Sequence, residues 1–190
     1  MEFAIPISRF DPTKLSWGQP RSGPFRKTIS FTYDEGQLKY NSLNLVSDPL
    51  SVLFIDWSKN QLILEESSPG PFLTKIEQFQ TLINNQIRKH YRDWLEGSEL
   101  PEVDGIAPLQ PWLKSQKLTL YLSNEPSSIP FFTENGSETL SDRTLKPGDL
   151  VRAIIRLQGI SLQLSDTGDW TGKSRIQHYV IELYRVSNSI

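Results

Sequence analysis

Two imidazoles, His90 and His178, and no cysteine make up the chain's stock of the side chains that most readily activate nucleophiles or bind metals. Without thiols there is no disulfide, no thiolate nucleophile and no cysteine-held zinc or iron–sulfur cluster. Two histidines cannot build a histidine-rich metal centre within one chain. His90 falls between Lys89 and Tyr91 in a helical pattern and His178 falls in a strand pattern, so neither stands in a G-x-S-x-G or comparable nucleophile setting. Asp34-Glu35 and Glu65-Glu66 are neighbours in turn-like sequence, and adjacency in a turn does not aim two carboxylates at one substrate. The nearest approach to a phosphate motif is Gly168-Asp169-Trp170-Thr171-Gly172-Lys173-Ser174. A P-loop needs four residues between its glycines and a helix after them, whose N–H groups face the phosphate. Here there are three residues, and a strand pattern follows. The expectation is a protein without catalytic residues, metal or cofactor.

The elements that must position any binding surface are mostly strands. Strand patterns cover residues 28–33, 38–46, 51–56 and 61–65, with turns at Asp34-Glu35-Gly36 and Lys59-Asn60 between them. Leu43 and Leu45 alternate with Asn44, the period of a half-buried strand. The period then changes. Phe72, Ile76, Phe79, Ile83, Ile87, Tyr91 and Trp94 recur every three to four positions, which predicts one amphipathic helix of about 24 residues over 72–96. Pro71 suits its first turn and Gly97 its end. Its aromatic residues are expected to be core. Residues 98–111 read as an acidic, proline-bearing loop. Strands resume at 117–122, at Phe131-Phe132-Thr133 before an Asn135-Gly136 turn, and after the turn Lys146-Pro147-Gly148-Asp149. Residues 150–164 and 175–186 are the two strongest strand patterns, joined by a polar loop over 165–174. Short strands at close spacing predict a mainly β antiparallel barrel or sandwich with one long helix, as a single domain over 28–190. Residues 1–27, with Pro6, Pro12, Pro20 and Pro24, read as an irregular arm laid over the body through Phe10, Trp17 and Phe25.

Charge narrows the partners. The net charge of −2 argues against a duplex-coating protein, but its distribution is uneven. Residues 143–185 hold seven Lys/Arg against four Asp/Glu, whereas residues 65–104 hold four against eight. On the strand 150–157, Val151, Ala153, Ile155 and Leu157 share one face, and Arg152, Ile154 and Arg156 share the other. Two arginines on a strand face, followed by Trp170, Lys173 and Arg175, match the chemistry of a single-strand-binding groove. Such a groove pairs cations for the backbone with aromatic platforms for bases. Solvated strands also alternate arginine with apolar residues, and that plainer alternative stays open here. No run approaches a membrane span of about 18 apolar residues. Residues 1–12 lack a cationic start before an apolar stretch, so an intracellular, unsecreted protein is expected.

One string is distinctive: Lys146-Pro147-Gly148-Asp149-Leu150-Val151-Arg152-Ala153-Ile154-Ile155-Arg156-Leu157-Gln158-Gly159-Ile160. It resembles the closing segment of the OB-fold single-stranded-DNA-binding proteins of large nucleocytoplasmic DNA viruses. Upstream features are similar in order: Asp48-Pro49 after an early strand, Trp94 near a helix end, Pro108-Leu109 in a loop, and the Asn-Gly turn. The resemblance implies an OB-fold-like antiparallel Greek-key barrel. It also implies a non-catalytic protein of viral DNA replication or repair that binds single-stranded DNA, or RNA, with weak sequence preference. Where that family carries an aromatic after the Gly-Ile pair, Ser161 stands here, and at the start of the last strand stands Arg175-Ile176. Trp170 and Tyr179 are then the aromatics left to stack on bases, and the expected interface is Arg152, Arg156, Trp170, Lys173, Arg175 and Tyr179. The acidic balance and the prolyl arm favour a second expectation, a self-associating virion structural or assembly protein on the same barrel.

Overall fold

The computed structural model describes residues 4–36, 38–66, 70–95 and 109–187. In chain order the strands are β1 (Ala4–Pro6), β2 (Leu15–Trp17), β3 (Arg21–Ser22), β4 (Arg26–Asp34), β5 (Lys39–Tyr40), β6 (Leu43–Val46), β7 (Leu50–Asp56) and β8 (Gln61–Glu65). The helix α1 (Pro71–Trp94) follows, then β9 (Leu113–Lys114), β10 (Lys117–Tyr121), β11 (Pro130–Thr133), β12 (Gly136–Thr139), β13 (Leu150–Leu164) and β14 (Trp170–Arg185). The protein is therefore mainly β with one long helix among the described residues.

β13 is the strand on which the others depend. Along one edge it pairs antiparallel with β14 over nearly its whole length. Along the other it meets three strands in succession: β7 at Leu150 and Val151, β6 from Ile154 to Leu157, and β4 from Gly159 to Gln163. The change of partner from β6 to β4 happens at Gly159, whose φ is +155°. A Cβ there would run into the Ile29 carbonyl oxygen and lie 2.9 Å from the Ser30 Cα. Only glycine lets the two backbones approach so closely. The expected inward face holds, with Val151, Ala153, Ile155 and Leu157 all buried.

The sheet is open. Its main path runs β12-β11-β14-β13-β7-β8-β10-β9, and no backbone ladder among the described residues returns β10 to β14. The second edge of the 16-residue β14 is covered piecemeal. Leu109 bridges Ser174 in parallel, Gln110 N–H donates to the Ser174 carbonyl at 2.7 Å, and β11 pairs in parallel at Leu183 and Tyr184. Between these, β10 meets β14 through a side chain: Tyr121 N–H donates to His178 Nε2 at 3.4 Å. Closing the barrel would need a continuous backbone ladder along that edge. Here several short segments share it.

The helix forms as its periodicity predicts and buries Phe72, Leu73, Ile76, Phe79, Ile83, Ile87 and Trp94. Its N-cap, Gly70, has no side chain to offer. The Glu66 carboxylate accepts instead from Gly70 N–H at 2.6 Å and Leu73 N–H at 3.2 Å, which places negative charge at the positive end of the helix. At the other end Lys27 Nζ donates to the Trp94 carbonyl at 3.0 Å. Phe79 sits 5.5 Å from Phe10, 6.3 Å from Phe31 and 6.2 Å from Trp112, ring centre to ring centre, and ties the helix to the sheet. Gly97 and most of the expected 98–111 loop lie outside the described residues.

Residues 4–27 differ from the irregular arm expected of them. They contain three short strands and two 3-10 turns. β1 pairs in parallel with β6, and Ile5, Ile7 and Phe10 are buried in the common core. Prolines at edges and first turns do not prevent this, because those positions need no N–H for a ladder. Trp17 packs 5.6 Å from Phe31, but Phe25 is 63% exposed. The 38–46 strand is two strands, β5 on β4 and β6 on β13, broken at Asn41-Ser42.

Gly159→Ala is predicted to destabilise the fold by roughly 3 kcal/mol or more, since it adds backbone overlap to an unfavourable φ. The urea unfolding midpoint tests this; a midpoint equal to that of the parent protein contradicts it.

Candidate nucleic-acid interface

β14 begins at Trp170, so the residues of the P-loop-like stretch lie mainly on a strand, and the hairpin loop is only 165–169. Side chains therefore alternate from Trp170 onward. Trp170, Ser174, Ile176, His178 and Val180 point inward and are buried, while Lys173 and Arg175 point outward and are exposed. This parity removes Trp170 from the expected interface. Its indole is 3% exposed, donates from Nε1 to the Lys173 carbonyl at 2.9 Å, and lies 5.5 Å from the Tyr91 ring. It is a core residue and cannot present a face to a base.

Lys173 and Arg175 instead form one wall of an open cleft of about 440 Å³. Ser161 lies across the ladder from Arg175 and forms the floor, with Gln163 beside it. The opposite wall is Phe25 and Arg26, from the start of β4. They are placed by two contacts with β13: Arg26 pairs with Gln163, and Leu164 N–H donates to the Phe25 carbonyl at 2.9 Å. Gln110 closes the rim. The cleft thus gathers three cations and an exposed phenyl ring, and none of the described residues lining it is acidic.

The other expected residues do not join it. Arg156 is half-buried and held in place: Nε donates to Asn44 Oδ1 at 3.2 Å and Nη1 to the Tyr179 hydroxyl at 3.1 Å, with the guanidinium 5.7 Å over the Tyr179 ring. Tyr179 is thereby committed to Arg156. Asn44 is buried, and this contact helps satisfy its carboxamide. Arg152 lines a separate hollow with Ile154, Tyr184 and Glu134. Of the six expected residues, Lys173 and Arg175 come together, Arg152 stands elsewhere, Arg156 and Tyr179 brace each other, and Trp170 is core. Phe25 and Arg26 were missed, although the run Phe25-Arg26-Lys27 directly before a strand was a signal for them.

The two imidazoles lie apart. His90 stacks on Trp94 at 5.5 Å on the helix, with Nδ1 3.7 Å from Asp93. His178 is buried at the β10–β14 seam, 4.7 Å from the Trp112 ring and 5.3 Å from Tyr121. Its Nε2 accepts from Tyr121 N–H, so the ring proton sits on Nδ1, 3.1 Å from the Ile176 carbonyl that receives it. Burial pushes its pKa down to about 4. Among the described residues no group of three His, Asp or Glu could hold a metal ion, and no helix is long and apolar enough to cross a membrane. Compared with protein-family models, curated proteins and solved structures, the chain matches none.

His178 makes stability depend on pH. The folded state keeps the ring neutral down to about pH 4, whereas the unfolded side chain takes up a proton near pH 6.5. Stability present above pH 6.5 is therefore lost as the pH falls toward 4. Chemical denaturation should show a loss of about 2 kcal/mol between pH 8 and pH 5, largely absent in His178→Gln. An unchanged free energy over that range contradicts the assignment.

Proposed function

We propose that the protein binds single-stranded nucleic acid, without catalysing a reaction on it, in the cleft between the start of β4 and the outward face of β14. One observation carries the reading: Phe25, 63% exposed, stands beside Arg26, Lys173 and Arg175 in a cleft with no acidic lining among the described residues. A ligand that covered this exposed phenyl ring would remove apolar surface from water. Every base has a π face to cover it with, and the three cations suit the phosphates on either side. Contacts of this kind read little sequence. A net charge of −2 is compatible with this, because the cations are concentrated where the strand would lie. The resemblance of residues 146–160 to the viral OB-fold proteins is consistent with the same reading and extends it to replication or repair of viral DNA. β13, which carries that string, supplies the floor of the cleft at Ser161 and Gln163.

Fluorescence anisotropy with labelled oligo(dT) and oligo(U) across a salt series tests the proposal. Binding should weaken steeply with salt. Lys173→Ala and Arg175→Ala should each lower the log–log salt slope by about 0.7. Phe25→Ala should cost about 1–3 kcal/mol with little change in slope. Arg152→Ala should bind like the parent protein. Absence of binding at about 50 mM salt contradicts the proposal, because backbone electrostatics are strongest there.

A further inference from the structure

A second cavity, about 270 Å³, opens on the other side of Arg175, over the seam where β10 meets β14. Arg175 lines both cavities, so the two are neighbours on one surface. Four carboxamides line the second: Asn60 from the β7–β8 turn, Asn124 after β10, Gln158 on β13 and Gln177 on β14. None of the four side chains hydrogen-bonds to another described residue. Tyr121, 38% exposed, stands at the same cavity. Lys59 also lines it, but its ammonium is held 3.1 Å from Asp56. None of the described lining residues is acidic.

The fold places these groups deliberately. Leu157 pairs with His178 and Gly159 pairs with Gln177, so Gln158 is the extra residue of a β-bulge. A bulge leaves its extra residue out of the ladder and re-aims the side chain. Asn60 has φ +52°, a left-handed conformation that asparagine tolerates, and its carbonyl accepts from Leu122 N–H at 2.8 Å. That bond fixes the turn against the end of β10.

We propose that this cavity is a nucleobase pocket with a preference for adenine. The proposal rests on the binding function above and adds base selectivity to it. A carboxamide offers one acceptor and two donors, and pairs bidentately with adenine through N6 and N7. A carboxamide can also pair with the amino group and N3 of cytosine, so the preference for adenine comes from stacking. The Tyr121 ring supplies a stacking surface, and purines cover more of it than pyrimidines. A strand with its backbone on Lys173 and Arg175 needs only to continue past Arg175 for its next base to reach the pocket.

Two experiments separate this proposal from the one it rests on. Anisotropy titrations with oligo(dA), oligo(dC) and oligo(dT) of equal length should show about tenfold tighter binding of oligo(dA). Gln158→Ala, Gln177→Ala and Asn124→Ala should weaken oligo(dA) binding and leave the salt slope unchanged. Thermal unfolding of each variant should match the parent, since the three amides have no partners among the described residues. Equal affinities for the three oligonucleotides overturn the pocket and leave the cleft standing. The second experiment follows the side-chain amide signals of Gln158, Gln177 and Asn124 by NMR while AMP or CMP is added. AMP should shift them at lower concentration than CMP. If oligonucleotides fail to bind but AMP still shifts these signals, the pocket stands and the cleft reading falls. If neither nucleotide shifts them, the pocket is overturned.

Discussion

The contact between Gly159 and the backbone of Ile29 and Ser30 is the constraint on which the architecture rests. A 15-residue strand cannot run straight beside three different partners without a place to change neighbours. β13 changes at Gly159, where the absence of a Cβ lets β4 come within a distance that no other residue permits. The register shift that leaves Gln158 outside the β13–β14 ladder lies directly before it. The contact at Gly159 also brings the start of β4 alongside Ser161 and Gln163, which sets Phe25 and Arg26 opposite Lys173 and Arg175. The core packing and the surface chemistry therefore share one cause.

The open seam follows from the same strand economy. β14 is about as long as β13 but has no equally long partner on its far edge among the described residues. Across the seam the Tyr121 N–H of β10 donates to the His178 side chain, so that β10 donor is satisfied without a ladder. An imidazole can do this only while neutral, and burial beside Trp112 keeps it neutral. The seam is thus held by a side chain where a ladder would close a barrel, which leaves room above it for the amide-lined cavity.

Local pattern carried much of this in the sequence. The helix was legible because its apolar spacing runs unbroken from Phe72 to Trp94, and β13 because Val151, Ala153, Ile155 and Leu157 alternate cleanly with Arg152 and Arg156. Trp170 was misplaced because Gly168 and Gly172 suggested a loop through that stretch. Extending the strand parity of Ile176 and Val180 backwards would have put Trp170 inside. Phe25 and Arg26 were hidden by the prolines around them, which read as an irregular arm although short edge strands tolerate them. Arg156 resembled a binding residue because no local pattern shows that Asn44, far away in sequence, takes its Nε–H. The shape of the site depends on the approach of β4 to β13, and a long-range pairing leaves no mark in a single sequence beyond the glycine that permits it.

The central claim is that one surface, with Arg175 at its middle, receives a single strand of nucleic acid. Backbone amide shifts of the labelled full chain, recorded while an unlabelled single-stranded oligonucleotide is added, test it most directly. The account predicts that the perturbed amides cluster at Phe25, Arg26, Ser161, Gln163 and Lys173 through Gln177, with little change at Arg152 and Ile154. Perturbations centred on Arg152, or none at saturating oligonucleotide, would contradict it.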